Sequence, residues 1–233
     1  MSFIKKNFNL IYNIYMKKRY LILSLLIISF ISSCTYRPKA FLVEERLFLL
    51  DQEISKWEAF KITGIVDIHY QSFSFRNNCI IQKNEDKLRI DVLASGFLSL
   101  GGGIIFAAYI EQELMQIRKP GNTVIENVSL SESDLEWISF FTEGLFTFLK
   151  SKKNVIIENL QIDLNGYEIS FCNNMKLKEI NNELEKIRIS LNYDRNDNLI
   201  EIIAVIPSIR KLIVHVDKIE HDDIKITPLR RME

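Results

Sequence analysis

The chain is poor in the residues that carry chemistry: its 233 residues include three histidines, three cysteines and two tryptophans. No CxxC, HExxH or Walker-type phosphate loop occurs, so the spacings that hold zinc, run a thiol redox pair or cradle a nucleotide are missing. Gly101-Gly102-Gly103 lacks the Lys and Ser/Thr that follow a phosphate cradle, and it precedes an extended segment. Asp67 and His69 share one strand face at i, i+2 spacing, but no nucleophile accompanies them. His215 alternates with aliphatic residues, and His221-Asp222-Asp223 reads as a solvated loop. No repeat or low-complexity segment interrupts the chain. The expectation is a protein without catalytic residues and without a metal.

The first twenty residues hold five basic side chains (Lys5, Lys6, Lys17, Lys18, Arg19) and no acidic one. They lead into an uncharged apolar run, residues 21–31, in the order of a secretion signal. A helix needs roughly 20 apolar residues to span a bilayer, so this run is too short for a permanent anchor. Ile31-Ser32-Ser33-Cys34 resembles the bacterial lipobox, which implies cleavage before Cys34 and a lipid on its thiol. No other cofactor is expected. Met16-Lys17-Lys18-Arg19 followed by the apolar run would make a signal of ordinary length, so Met16 is the expected start. The organisation is then a signal (1–33), a lipidated tether (34–40) and one domain (41–233). Removing the signal takes five of the 30 basic side chains and none of the 30 acidic ones. The mature formal charge is therefore about −5, which argues against a nucleic-acid partner. Cys79 and Cys172 remain; in an oxidising compartment they could pair, or stand as two buried thiols.

Residues 41–60 have helical periodicity, with Leu42, Leu47, Leu50, Ile54 and Trp57 on one stripe. The period then changes to two. Strands are expected at 61–70, 71–83 and 87–93, with a turn at 84–86, and again at 104–112, 113–119 and 123–128. Ser133 followed by Glu136 forms a capping box that opens a second helix over 133–150. Leu135, Ile138, Phe141, Leu145 and Phe148 make one face of it, while Trp137, Phe140 and Phe146 fall partly outside. A helix this aromatic around its girth must be covered on several sides or face an apolar hollow. Strands are expected at 155–164, 167–173, 184–193, 199–206 and 209–219, with a short one at 224–226. The class is mainly β (α+β): a large antiparallel sheet with helices inserted in two places.

Phe60-Lys-Ile-Thr-Gly64-Ile-Val-Asp-Ile68, and then Leu88-Arg-Ile-Asp-Val-Leu93 leading into an apolar loop, resemble the first and third strands of the lipoprotein-localisation (LolA/LolB-like) family. That resemblance implies a curved antiparallel sheet forming an incomplete β-barrel, helices covering its concave face, and a cavity for acyl chains. It places Trp137, Ile138, Phe140, Phe141, Leu145 and Phe148 as cavity or lid residues. It also places Phe97 and Leu98, on the loop 94–103, as a membrane-insertion loop, although the proline often found there is absent. The partners it implies are membrane lipid, other lipoproteins or a periplasmic carrier; the protein itself is expected to be a monomer. Thr35, rather than Asp, follows the cysteine, which in enteric-type bacteria favours the outer membrane. The expected function is to bind acyl chains or lipidated proteins and help localise them. The alternative is a scaffold lipoprotein of an envelope complex, with the aromatic helix against another protein.

Overall fold

The period-two pattern that begins at Ala59 folds as one continuous sheet. The computed structural model describes residues 42–70, 73–94, 103–112, 114–119, 124–129, 138, 142, 144–207 and 210–229, all within the unit Phe41–Glu233. Among them, twelve strands fall into two runs. The first is β1 (Ala59–Tyr70), β2 (Phe73–Asn84), β3 (Lys87–Leu93), β4 (Ile104–Glu111), β5 (Leu114–Arg118) and β6 (Glu126–Ser129). The second is β7 (Gln161–Leu164), β8 (Tyr167–Phe171), β9 (Leu177–Asn182), β10 (Ile187–Tyr193), β11 (Leu199–Val205) and β12 (Lys211–Glu220). Each run is an antiparallel meander, and β1 against β12 joins the two, so the order is β6-β5-β4-β3-β2-β1-β12-β11-β10-β9-β8-β7. The edges, β6 and β7, do not pair with each other, and the barrel stays open.

An open twisted sheet of more than about 10 strands curls or splits. This one curls, and the register dictates what its inner face carries. Ile62 pairs with Ile81 and Ile81 with Ile90, while Gly64 pairs with Cys79 and Cys79 with Val92. Across the seam Val66 pairs with Val214, and Val214 with Ile202. These rows are apolar, and a further one runs from Leu212 through Ala204 into Ile189, Ile180 and Ile169. Gly64 sits at the β1–β12 seam, where the register shifts. A Cβ there would lie 2.0 Å from the carbonyl oxygen of His215, so the close approach of the two strands requires glycine.

Three helices are described. Helix α1 (Val43–Glu58) buries Leu50, Glu53 and Ile54 against the main core, which also contains Ile62, Leu145, Leu149, Ile156 and Ile169. Helices α2 (Leu145–Ser151) and α3 (Lys153–Asn159) pack against α1 and are tied to it by ion pairs. Lys150 meets Glu58 at 2.7 Å, and Lys153 meets Asp51. The Arg46 guanidinium donates to the Ile157 carbonyl, 2.9 Å. The three helices line the inner side of the sheet.

Five expectations are corrected. The second helix does not run unbroken over 133–150: Gly144 turns into the left-handed region (φ 78°) and caps a new helix at Leu145. Residues 155–159 are helical, not strand; Ile156 and Ile157 are both buried while Val155 is exposed. Adjacent buried side chains suit a helix face and not a half-buried strand, so contact with α1 overrides β-branched propensity. Strand β9 falls in a segment, 174–183, where no element is expected; a register shift opposite Ser170 and Phe171 puts Leu177 and Ile180, three residues apart, on the buried side, so the period of two is broken. Leu184, assigned to a strand, is 90% exposed in the following turn. Finally, 224–226 forms no strand. The tail instead lies on the outer face of β3–β5, with Ile226 and Leu229 against Ala107 and Tyr109, Arg89 donating to the Thr227 carbonyl and Asn84 to that of Ile224.

Candidate functional site

The inner rows leave space. A hollow of about 450 Å³ is lined, among the described residues, by apolar side chains alone. Val66 and Ile68 of β1, Cys79 and Ile81 of β2, Phe106 and Ala108 of β4 and Met115 of β5 form one wall. Leu212 and Val214 of β12 and Ala204 of β11 form the other. In a flat sheet, β5 and β11, six places apart in the order, would be about 28 Å apart. Their sharing one hollow is the direct measure of the curl. The size lies within the roughly 300–1,000 Å³ of small-molecule sites. Phe75, 40% exposed, stands on the rim.

A second hollow, about 210 Å³, adjoins the first, since Ile81, Ile90 and Ile138 line both. Trp57, Phe60 and Phe146 form its helix side, and Leu177, Ile180 and Leu191 its far wall. Its polar residues are Lys83 and Thr142, which it shares with an outer, polar recess of about 460 Å³ bearing Glu58, Glu85 and Asp86. The two apolar hollows thus adjoin on the inner face, and the smaller borders the polar recess through Lys83, Thr142 and Phe146.

Lys83 marks the change from apolar to polar. It pairs with Phe60 and Leu88 in the register, so it is the charged residue of the inner rows of β1–β3. It is 5% exposed. Its ammonium donates to the carbonyls of Glu85 and Glu58 and stands 5.0 Å from the centre of the Phe146 ring. Burial pulls its pKa from 10.5 down to about 8, against the charges of Glu58, Asp86 and Glu85, which raise it.

Of the residues singled out in the sequence, Ile138 is buried and lies between the two hollows. Leu145 is fully buried in the main core, and Phe148 is half-buried against it; neither is among the lining residues. Cys34, Phe97, Leu98, Trp137, Phe140 and Phe141 lie outside the described residues. Phe146, set outside the helix face by sequence spacing, lines the smaller hollow, because Gly144 resets the helix phase. Lys83 and the small residues Ala108 and Ala204 were not singled out; no local pattern marks them, and their places in the strand register, Lys83 opposite Phe60 and Leu88, Ala108 opposite Ile90 and Ala204 opposite Leu212, are what assign them to the inner face.

Among the described residues, the polar side chains elsewhere make no reactive constellation. Asp67 turns to His215 across the seam (Nε2 to Oδ2, 2.9 Å), not to His69, with Glu201 at 3.5 Å on the other ring nitrogen and Arg76 at 3.5 Å from Asp67. Cys79 and Cys172 are free thiols, and burial raises the Cys79 pKa to about 11, which keeps it protonated. No cluster of three metal-ligating side chains is present among the described residues.

No family model matches the chain, and no curated protein matches it. Several solved structures are similar. A LolA superfamily protein from Nitrosomonas europaea matches at 9% identity and a TM-score of 0.36, over 80% of this chain and 96% of that one. A DUF1329 family protein from Desulfovibrio piger matches at 10% identity and a TM-score of 0.36, over 78% and 93%. An outer membrane lipoprotein-sorting protein domain from Vibrio parahaemolyticus matches at 9% identity and a TM-score of 0.35, over 78% and 94%. The half-barrel assignment itself stands on the strand order and the shared lining of opposite walls.

Proposed function

We propose that the chain is a lipid-anchored envelope protein that holds acyl chains, or the acylated ends of other lipoproteins, inside the curled sheet. The single observation that carries this reading is the 450 Å³ hollow with its wholly apolar described lining. An acyl chain makes no hydrogen bonds, so its site must be an apolar space held open by structure around it. A sheet closed on one side and braced by helices provides that, and apolar cavities of this kind stay dry and accept apolar guests. The anchor is the lipid on Cys34, and the outer membrane, facing the periplasm, is the compartment that Thr35 favours. Trp137, Phe140 and Phe141 are the lid; Ile138 and Thr142, interleaved with them in sequence, both line the smaller hollow. Phe97 and Leu98 are the apolar pair that enters the bilayer during transfer; they lie in sequence between Ala94 and Gly103, where the Ala94 N–H donates to the Gly103 carbonyl at 2.9 Å.

The test is a displacement titration with a fluorescent acyl probe on the wild type and on Ala108→Trp. Ala108 is 4% exposed and lines the hollow, so the indole enters empty space. Probe affinity is expected to fall at least tenfold while the melting temperature stays level or rises. Wild type that binds no probe, or a tryptophan variant that binds as well as wild type, would sink the acyl-holding reading.

A further inference from the structure

Resting on the acyl-binding reading above, we propose that Lys83 and the recess beside it select the head of the ligand. The class selected is an uncharged acyl amide or ester carbonyl, and an ionised carboxylate is rejected. The tail lies in the two apolar hollows and its head reaches the 460 Å³ recess, because Lys83 and Thr142 line both sides of that boundary.

The charges around that point decide the preference. On α1 there is Glu58, both of whose carboxylate oxygens lie 2.7 Å from Lys150 of α2. On the β2–β3 turn there are Glu85 and Asp86, whose fields act on Lys83. Among the described residues that line the recess there are one cation, Lys83, and three carboxylates, of which Glu58 is neutralised by Lys150, so one negative charge remains in excess. A ligand carboxylate arriving beside Lys83 would also meet Glu85 and Asp86, and like charges at such range disfavour the ionised form. A ligand ammonium would meet Lys83 itself. A neutral carbonyl escapes both repulsions and still accepts a charge-assisted hydrogen bond, the stronger kind. The lysine is held for this by the Glu58 and Glu85 carbonyls and by the Phe146 face. Amide- and ester-linked acyl groups occur on acylated peptides and on membrane lipids; free fatty acids carry the rejected head.

Photoreactive hexadecanamide and hexadecanoic acid, each with a diazirine in the tail, are added together to membranes carrying the full chain or its Lys83→Met variant. Adducts are read by intact mass. The wild type is expected to take up the amide at least tenfold over the acid, and K83M to bring that ratio within about twofold of unity while total tail labelling persists. Dividing one ratio by the other cancels the probes' different partitioning into the membrane. Equal labelling by amide and acid in the wild type, or a ratio unchanged in K83M, overturns the assignment but leaves acyl binding standing. No labelling by either probe overturns both. An N-acyl peptide and a diacyl phosphatidylcholine with the same tail separate the two sources. Lys83-dependent labelling by either supports the assignment and names the source, and its absence from both overturns it.

Discussion

A buried lysine is a cost that the fold carries at one position. Lys83 is 5% exposed, and its pKa in the folded chain, about 8, lies below the ordinary 10.5. Between those values the unfolded chain binds more protons than the folded one, so stability rises with pH through that window. Below about pH 8 the penalty is present in full, and it is relieved as the pH climbs towards 10.5. At about 1.4 kcal/mol per pH unit, the whole penalty is up to roughly 3 kcal/mol. Lys83→Met is therefore expected to be more stable than wild type at pH 7, with an advantage that shrinks by about 2 kcal/mol by pH 10. The measurement is urea unfolding of both proteins at the two pH values. Taking the difference removes the tyrosines, Tyr109 and Tyr193, whose pKa values burial raises and which weaken the fold at alkaline pH in both proteins alike. An advantage that stays constant with pH would mean that Lys83 is not desolvated. Such a residue has no periodic signature in the sequence. Only its register place, opposite Phe60 and Leu88, reveals it.

The elements are held together by a few polar bonds laid into apolar contact, and Glu53 is the densest of them. It is buried on α1, and its Oε1 accepts from the Trp57 indole at 2.8 Å and from the Leu177 backbone N–H at 3.1 Å. Lys176 lies 3.7 Å from its Oε2. The Tyr193 hydroxyl donates to the Leu177 carbonyl at 2.8 Å and stands 3.3 Å from Glu53. One carboxylate thus fixes α1 to the starts of β9 and the end of β10. Glu53→Ala leaves the buried Leu177 N–H and the half-buried Trp57 indole without acceptors, at about 1–3 kcal/mol each, so a loss of about 3 kcal/mol is expected in denaturant unfolding. Glu53→Gln keeps one acceptor oxygen and should lose about half of that; an alanine variant within 1 kcal/mol of wild type would remove Glu53 from this role. How legible these elements were follows from the same contacts. Helix α1, strands β1 to β5, and the turns around Glu85 and Asn165 could be read from periodicity and turn chemistry, which are local. Helix α3 could not, because Val155, Ile156 and Ile157 favour extended backbone until Leu50 and Ile54 are beside them. Strand β9 was hidden because its outward residues, Lys178, Glu179 and Asn181, belong as well to a loop as to an exposed sheet face.

At the scale of the molecule, the seam between β1 and β12 turns two meanders into one curled wall, and the wall encloses unfilled space. The sequence resemblance reached the half-barrel through Phe60, Gly64 and Ile68, and Gly64 proves to be the residue on which the seam closes. The hollow itself had no such signature. It is made by what is small across the sheet, Ala108 on one wall and Ala204 on the other, and small residues on two distant strands look like ordinary core until the curl brings both to one hollow. Unfilled apolar volume also lowers stability, because lining atoms forgo contacts they would have in a filled core. A guest that restores those contacts binds the folded chain and not the unfolded one, and so must raise the melting temperature. At a free concentration a hundred times its dissociation constant, the stabilisation is about 2.7 kcal/mol. For a domain of this size, each kcal/mol shifts the midpoint by about 2–4 °C, a rise of roughly 5–10 °C in all. The expectation is that rise for residues 41–233 with an acyl amide, little change with the matching carboxylate at neutral pH, and almost none with either in Ala108→Trp, whose indole already occupies the hollow. A wild-type midpoint unmoved by saturating acyl amide would mean that the space inside the sheet receives no chain.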